Sequence, residues 1–236
     1  MSSTYLELCT KFREVVGMSG SGPATVIGQT GMNKKITIWV ADADELIQRK
    51  WEDWKFLLNT KQVITAVAGT ATFTPVDLSV TDLARWRETS FVRSPGTADY
   101  LKLSYDISYE EYLVSEMYLG VEVTGAIERV IIRSSDNAVI FYLTPAADTT
   151  VWAAYYKAVT RMTLDTSTTL IPKRFEDAIL YRAKMFYAEH LEDGSLYESA
   201  RNDYEEIIMK LEASQLVGFK GMQTSNDDNY EDVTVE

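Results

Sequence analysis

The sequence is poor in the residues from which redox and metal sites are built, because it has one cysteine and one histidine among 236 residues. Cys9 has no second cysteine with which to form a disulfide or a thiolate zinc site, which favours a reducing compartment. The sequence also lacks a long apolar run, and its first residues lack the charged and apolar regions of a secretory signal. We therefore expect no membrane span, no cleaved signal and no cofactor.

Basic residues are fewer than acidic ones, with 23 Lys and Arg against 35 Asp and Glu and a formal net charge of −12. Binding to duplex nucleic acid is driven by Lys and Arg contacts to phosphates, so this balance excludes a surface that wraps DNA. The hydrophobic fraction of 46% is ample for a core. The composition predicts a folded, acidic globular protein.

The usual base of nucleophilic catalysis is almost absent, since such catalysis requires a base, usually His, beside the nucleophile and the sequence has one His. His190 lies near the end of a predicted helix beside Glu189 and Glu192, where a polar or positive side chain is favoured by the helix dipole. Cys9 lies on another predicted helix without a predicted cationic neighbour, as a small core residue does. We predict no catalytic, metal or cofactor-binding residue and no enzyme activity.

Two N-terminal segments, 4–16 and 33–58, have apolar residues at steps of three and four, which predicts two helices. The second contains Trp51 and Trp54, whose spacing puts both on its apolar face. We interpret both tryptophans as structural core residues. A ligand-binding module built around them is an alternative.

The middle of the chain, residues 61–164, is predicted to be a β-rich insertion. Segments 62–68 and 70–75 are rich in β-branched residues and are separated by Gly69, as in a hairpin. Segments 127–133 and 139–143 predict a second hairpin, and 151–162 a long strand. Between them, Ser108 and Glu111 have the spacing of a capping box at the start of a helix.

Two further helices are predicted near the C-terminus. Pro172 opens the first, which places Phe175 in the core and extends to about residue 191, and the second follows the turn at Asp193 and Gly194. From residue 217 onward polar and small residues dominate, which predicts a flexible acidic tail, 217–236.

The predicted fold class is therefore α+β. Residues 1–60 and 165–216 form a helical bundle of about four helices, and the β-rich insertion 61–164 separates its N-terminal pair from its C-terminal pair.

Three local motifs, in their order along the chain, resemble one known family. The first is the opening helix 4–13 (Thr-Tyr-Leu-Glu-Leu-Cys-Thr-Lys-Phe-Arg), the second is Trp51-x-Asp53-Trp54, and the third is Ile171-Pro172-x-Arg174-Phe175. Together they resemble the head-to-tail adaptor proteins of short-tailed bacteriophages, also called head-completion or connector proteins.

The resemblance implies a structural virion protein of the head-tail neck, assembled in the host cytoplasm. It implies a self-assembled ring, typically of twelve copies, with the helical bundle on the portal protein and the β-rich insertion toward a tail nozzle, tube or fibre protein. DNA would pass through an acidic lumen during ejection without specific binding. In the family a C-terminal extension orders on the portal, which assigns portal contacts to Val217, Phe219, Met222 and Tyr230.

Two other functions are left open by the sequence. Another tail-proximal virion component, such as a stopper or nozzle, would also be acidic and would contain β-structure. A small acidic hydrolase using Asp and Glu pairs or His190 is the alternative from a different class.

Overall fold

The computed structural model of the protein describes residues 2–20, 22–94, 100–119 and 124–216, with 115–119 described by their backbone. The described chain is α+β, which confirms the predicted class. Its five helices are α1 (Tyr5–Val15), α2 (Gly31–Arg49), α3 (Tyr109–Leu119), α4 (Asp177–Leu191) and α5 (Gly194–Gln215). That four helices form one bundle stays a prediction. The predicted flexible tail, 217–236, lies outside the described residues.

The described residues also form ten strands in three sheets. The strands are β1 (Leu58–Ala66), β2 (Thr72–Phe73), β3 (Leu83–Trp86), β4 (Val92–Ser94), β5 (Leu101–Lys102), β6 (Thr124–Gly125), β7 (Val130–Arg133), β8 (Ala138–Phe141), β9 (Thr144–Pro145) and β10 (Thr149–Lys157). A five-stranded sheet has the order β1-β10-β4-β5, with β3 also paired to β10, and a three-stranded sheet has the order β2-β8-β7. Strands β6 and β9 form a parallel pair.

The chain divides into two compact units. The helical unit, Met1–Asp44 and Met162–Glu236, contains α1, most of α2, α4 and α5. The β-rich unit, Glu45–Arg161, contains all ten strands and α3. That the helical part contacts the portal and the β-rich part the tail stays a prediction.

In the helical unit, α1 begins with a capping box formed by Thr4 and Glu7. The Thr4 hydroxyl accepts a hydrogen bond from the Glu7 N–H at 3.3 Å, and the Glu7 carboxylate accepts one from the Thr4 N–H at 2.9 Å. This capping box satisfies two N–H groups that a helix end leaves without partners. The helix then buries Leu8, Cys9 and Phe12, as the predicted spacing requires.

The two C-terminal helices are joined by a tight turn, as predicted. Glu192 adopts a left-handed φ of 56° and donates its N–H to the last turn of α4. Asp193 then caps α5, because its side chain accepts a hydrogen bond from the Leu196 N–H at 2.9 Å. Helices α4 and α5 pack against each other along their length.

The β-rich unit is layered. Alternate residues of the five-stranded sheet, including Ile64, Val151 and Tyr155, point into a core that they share with Val139 and Phe141 of the three-stranded sheet. The opposite side of the three-stranded sheet packs against α3 through a second cluster of Ile131, Ile140 and Tyr112. Strand β8 is therefore buried on both sides. The layers follow in the order five-stranded sheet, three-stranded sheet, α3.

The middle region confirms some sequence predictions. Strands β7 and β8 form the antiparallel hairpin expected near residues 127–143. Ser108 and Glu111 form a capping box at α3, with the Ser108 N–H donating to Glu111 Oε2 at 2.9 Å and the Glu111 N–H donating to Ser108 Oγ at 3.2 Å. The strand predicted over 151–162 is β10, and it ends at Lys157.

The hairpin predicted around Gly69 is wrong. Strand β1 pairs with β10, whereas β2 pairs with β8, so the two segments lie in different sheets. Gly69 does form a turn, with a φ of 79° and its N–H donating to the Pro145 carbonyl at 2.9 Å. A turn residue between two β-branched segments thus indicates a change of direction but does not decide which strands pair.

The helix predicted over 33–58 is also wrong at its end, since α2 stops at Arg49 and the chain enters β1 at Leu58. Trp51 therefore lies beyond the helix with 42% of its surface exposed, and its assignment as a core residue is wrong. Trp54 is fully buried, and its indole Nε1 donates to the Ile47 carbonyl at 3.0 Å. The apolar spacing of 51–58 fits a helix, but only Lys55–Leu57 form a short 3₁₀ helix, which leads into β1 and its distant partner β10.

Candidate interaction surfaces

The residues first considered for catalysis lie in settings that explain them structurally. The His190 ring lies 5.6 Å from the Trp39 ring, and its Nε2 is 3.0 Å from Lys35 Nζ. Cys9 is fully buried, and burial raises the pKa of its thiol to about 12. Within the described part of the chain, no group of His, Cys, Asp and Glu is arranged to hold a metal ion. No helix there is both long and apolar enough to cross a membrane.

The five-stranded sheet turns one side to solvent, and we call this side the outer sheet face, defined by Lys61, Val63, Val92, Tyr100, Lys102 and Trp152. Val63 and Val92 lie opposite Trp152 on the two flanking strands, and Lys102 lies opposite Val92. The Tyr100 and Trp152 rings are 5.0 Å apart, and Lys61 Nζ lies 5.0 Å from the centre of the Trp152 ring. Tyr100 is 62% and Val63 52% exposed.

This surface combines aromatic, aliphatic and cationic groups, and aromatic side chains are enriched at the centres of protein interfaces. It also adjoins a sheet edge, because β1 pairs only with β10 among the described strands. An exposed edge strand is a ready site for association, and a Lys on such a strand, as Lys61 is on β1, discourages non-specific strand pairing.

The charged residues on the strands of this sheet are all basic. Its strands carry five basic residues, Lys61, Arg85, Arg93, Lys102 and Lys157, and no acidic residue. Arg85 and Lys157 pair with Asp53 and Asp82, which lie outside the strands. Within the described residues, Lys61 and Lys102 form no ion pair. The outer sheet face is therefore a positive surface on a protein whose net charge is −12.

A cleft of about 280 Å³ opens beside one end of β10 and is lined by Trp51, Arg85 and Tyr156 among others. The Arg85 guanidinium lies 4.5 Å from the centre of the Tyr156 ring and pairs with Asp53, while its Nε is 3.7 Å from Glu52 Oε2. The cleft therefore combines two aromatic rings with charged groups that have partners of opposite sign.

The exposed side of α3 is negatively charged, in contrast to the outer sheet face. We call it the acidic helix face, defined by Glu110, Glu111, Leu113 and Val114. All four side chains are exposed, whereas Tyr112 between them is buried. The Ser108 N–H that donates to the Glu111 carboxylate lowers the pKa of Glu111 below its usual value. The helix contains no Lys or Arg, so its charge is purely negative.

The predicted site residues have mixed placements. Trp54 and Phe175 are buried, and Trp51 lines the cleft. The predicted portal contacts Val217, Phe219, Met222 and Tyr230 lie outside the described residues.

A family model for the SU10 adaptor protein matches residues 3–224, which is nearly the whole chain. The chain belongs to the SU10 adaptor protein family. This membership confirms the resemblance to phage head-to-tail adaptors, and it makes the protein a structural adaptor of a phage particle. No curated protein matches the chain significantly.

The sequence analysis did not identify the surfaces that this adaptor presents on its β-rich unit. A signal for them exists, because segments 58–66 and 149–157 contain no acidic residue in a chain with 35 of them. Segment 109–119, conversely, has three glutamates and no basic residue. The sequence does not show which surface these segments form. The structure shows it, because strand pairing places Lys61 beside Trp152.

Proposed function

We propose that the protein forms a ring beneath the portal, joins the capsid to the tail and surrounds the channel through which DNA leaves. The observation that carries this proposal is the adaptor family match over residues 3–224. The proposed ring has twelve copies, with the helical unit toward the portal and the β-rich unit toward a tail nozzle, tube or fibre protein.

The charge of the chain supports a conduit that does not bind DNA. Each copy contributes a net charge of −12, and a lumen with the same bias would repel phosphates. DNA could then slide through the ring during ejection without being retained.

The segment after Leu216 is the proposed tether to the portal. Its Val217, Phe219, Met222 and Tyr230 are isolated apolar residues in a polar, acidic sequence, a composition typical of segments that fold on binding. Ordering such a segment on the portal would make ring assembly depend on the portal being present.

The ratio of this protein to the portal in purified particles tests the proposal. Quantitative mass spectrometry should give a ratio near one to one, and crosslinking should join the two proteins directly. Absence from particles would contradict any virion role. Presence without a portal crosslink would favour a stopper or nozzle component instead.

A truncation after Leu216 tests the tether separately. The full chain should co-purify with assembled portal, and the truncated chain should lose this association while it keeps the circular dichroism spectrum of its helices. Unchanged portal binding would remove the tether from the proposal and leave the ring intact.

A further inference from the structure

The outer sheet face and the acidic helix face lie on opposite sides of the β-rich unit. One side of the five-stranded sheet contacts the shared core through Ile64, Val151 and Tyr155, which leaves its other side as the outer sheet face. The three-stranded sheet lies between that core and α3, because Val139 contacts the core while Ile140 contacts Tyr112 of α3. Two surfaces on opposite sides of one body can each meet a different neighbour.

The charges of these two surfaces are complementary. The strands of the five-stranded sheet carry basic residues without an acidic one, and α3 carries glutamates without a basic one. Lys61 and Lys102 stand on the first surface and Glu110 and Glu111 on the second. Complementary potentials of this kind orient partners and reject wrong ones.

The apolar groups of the two surfaces also correspond. Leu113 and Val114 of α3 are 41% and 53% exposed, although the helix already buries Tyr112 on its other side. A helix that is apolar on both sides has a second surface to cover. Val63, Tyr100 and Trp152 offer aliphatic and aromatic area on which these two side chains can pack.

We propose that the acidic helix face of one copy docks on the outer sheet face of the next copy. Leu113 and Val114 pack against Trp152, Tyr100 and Val63, while the glutamates approach Lys61 and Lys102. The contact joins two different surfaces, so it repeats from copy to copy and closes into a ring when the rotation permits. This inference rests on the proposed ring and names the surfaces that hold neighbouring copies together.

Disulfide trapping between copies tests the proposed contact. Val63→Cys is placed in one population of full-length chains and Val114→Cys in another, and the two are mixed under mild oxidation. Cys9 is buried and stays in place. The control is Val76→Cys, because Val76 is 82% exposed but belongs to neither surface.

The proposed contact predicts a covalent dimer that joins a Val63→Cys chain to a Val114→Cys chain in the mixture, and no dimer in either population alone. Chains carrying both substitutions should form a ladder of covalent oligomers. A mixture of Val76→Cys chains with either variant should contain no covalent dimer. A dimer of two Val63→Cys chains would overturn the proposal, since it would show that the sheet face meets itself. Failure of the mixed dimer in both free protein and purified particles would also overturn it.

Particles separate this inference from the proposed function. If the protein is stoichiometric with the portal but the Val63→Cys and Val114→Cys positions do not crosslink, the ring stands and the assigned contact fails. If the protein is absent from particles, the proposed function itself fails.

Charge reversal provides a second measurement. Lys61→Glu combined with Lys102→Glu should weaken self-association in sedimentation or mass photometry by about tenfold, and added salt should weaken the unmodified contact. Lys55→Glu reverses an exposed charge outside both surfaces and should have no effect. Glu110→Lys is the reversal on α3, because Glu111 also caps the helix. Self-association that neither reversal changes would overturn the electrostatic part of the proposal.

Discussion

The helical unit and the β-rich unit differ in their balance of charge and in where the unpaired charges lie. The helical unit has 20 acidic and 11 basic residues and the β-rich unit 15 and 12, which together are the 35 and 23 of the chain. On α5 both basic residues pair with a glutamate four positions away, Arg201 with Glu205 and Lys210 with Glu206. The β-rich unit also contains ion pairs, such as Arg133 with Asp136, but the strands of its five-stranded sheet carry only basic charged residues and α3 carries only acidic ones.

This difference shows how the two kinds of charged surface serve different purposes. Pairs four residues apart on a helix neutralise each other within one chain and add only tenths of a kcal/mol. Charges of one sign collected on a surface gain little within their own chain and remain available for a partner. The pairs on α5 therefore compensate charge within the helical unit, whereas the β-rich unit has two surfaces of opposite charge.

Loss of a core ring in each unit is the strongest way to test whether the two units are separate in stability as well as in charge. Phe141 is fully buried between the sheets, 5.8 Å from the Phe73 ring, so Phe141→Ala should lower the free energy of unfolding by about 3–5 kcal/mol. Phe12 is the counterpart in the helical unit, where it contacts Trp39 and Tyr187, and Phe12→Ala should cost about the same.

Amide hydrogen exchange distinguishes the two variants. Phe141→Ala should increase exchange in β7, β8 and β10, and Phe12→Ala should increase it in α1 and α4. Equal loss of protection in both units from either change would show one cooperative unit and would break the comparison.

The two tryptophans near the start of the β-rich unit give a smaller contrast within one region. Trp54→Ala removes a fully buried indole and its hydrogen bond to the Ile47 carbonyl, so it should cost about 3–4 kcal/mol. Trp51→Ala removes a partly exposed side chain and should cost about 1 kcal/mol or less. Denaturant unfolding of both variants measures the difference, and equal losses would mean that Trp51 is as deeply packed as Trp54.

The smallest expected effect at neutral pH is confined to the helical unit and grows only as the pH rises. Burial raises the pKa of Cys9 from 9.0 to about 12, so the folded chain keeps this proton where the unfolded chain loses it. Because the unfolded state then binds fewer protons, the contribution of Cys9 to stability falls between about pH 9 and pH 12. Cys9→Ala should flatten the decline of stability in this window, as denaturant unfolding at a series of pH values would measure.

The same burial predicts the reactivity of the thiol. A native chain at about pH 8 should react with a thiol reagent far more slowly than the unfolded chain. Rapid labelling of the native protein would show that Cys9 is accessible. The cysteine variants used for crosslinking rely on this inertness.

Prediction from sequence succeeded where hydrogen bonds are local. Helix α1 and the turn into α5 depend on residues within four positions of one another, such as Thr4 with Glu7 and Asp193 with Leu196. The hairpin of β7 and β8 is local as well, since one short turn joins its strands.

Prediction failed where the partner is distant along the chain. The segment after Arg49 has apolar residues at a spacing that suits a helix. It leads instead into β1, which pairs with β10, the last strand of the β-rich unit in the sequence. The same pairing separates β1 from β2 and so removes the hairpin expected at Gly69. Single-sequence periodicity cannot detect such a partner, because the hydrogen bonds that stabilise a strand come from another segment.

The sequence by itself determined the α+β class, the acidic balance, the absence of a histidine pair or a second thiol, and the motifs that resemble phage adaptors. Each of these depends on composition or on neighbours along the chain. Only the tertiary structure decided that Lys61, Tyr100 and Trp152 share one surface and that α3 lies on the opposite side of the unit. The reason is physical: which side of a strand faces solvent depends on the layers packed against it, and those layers come from residues far away in the sequence.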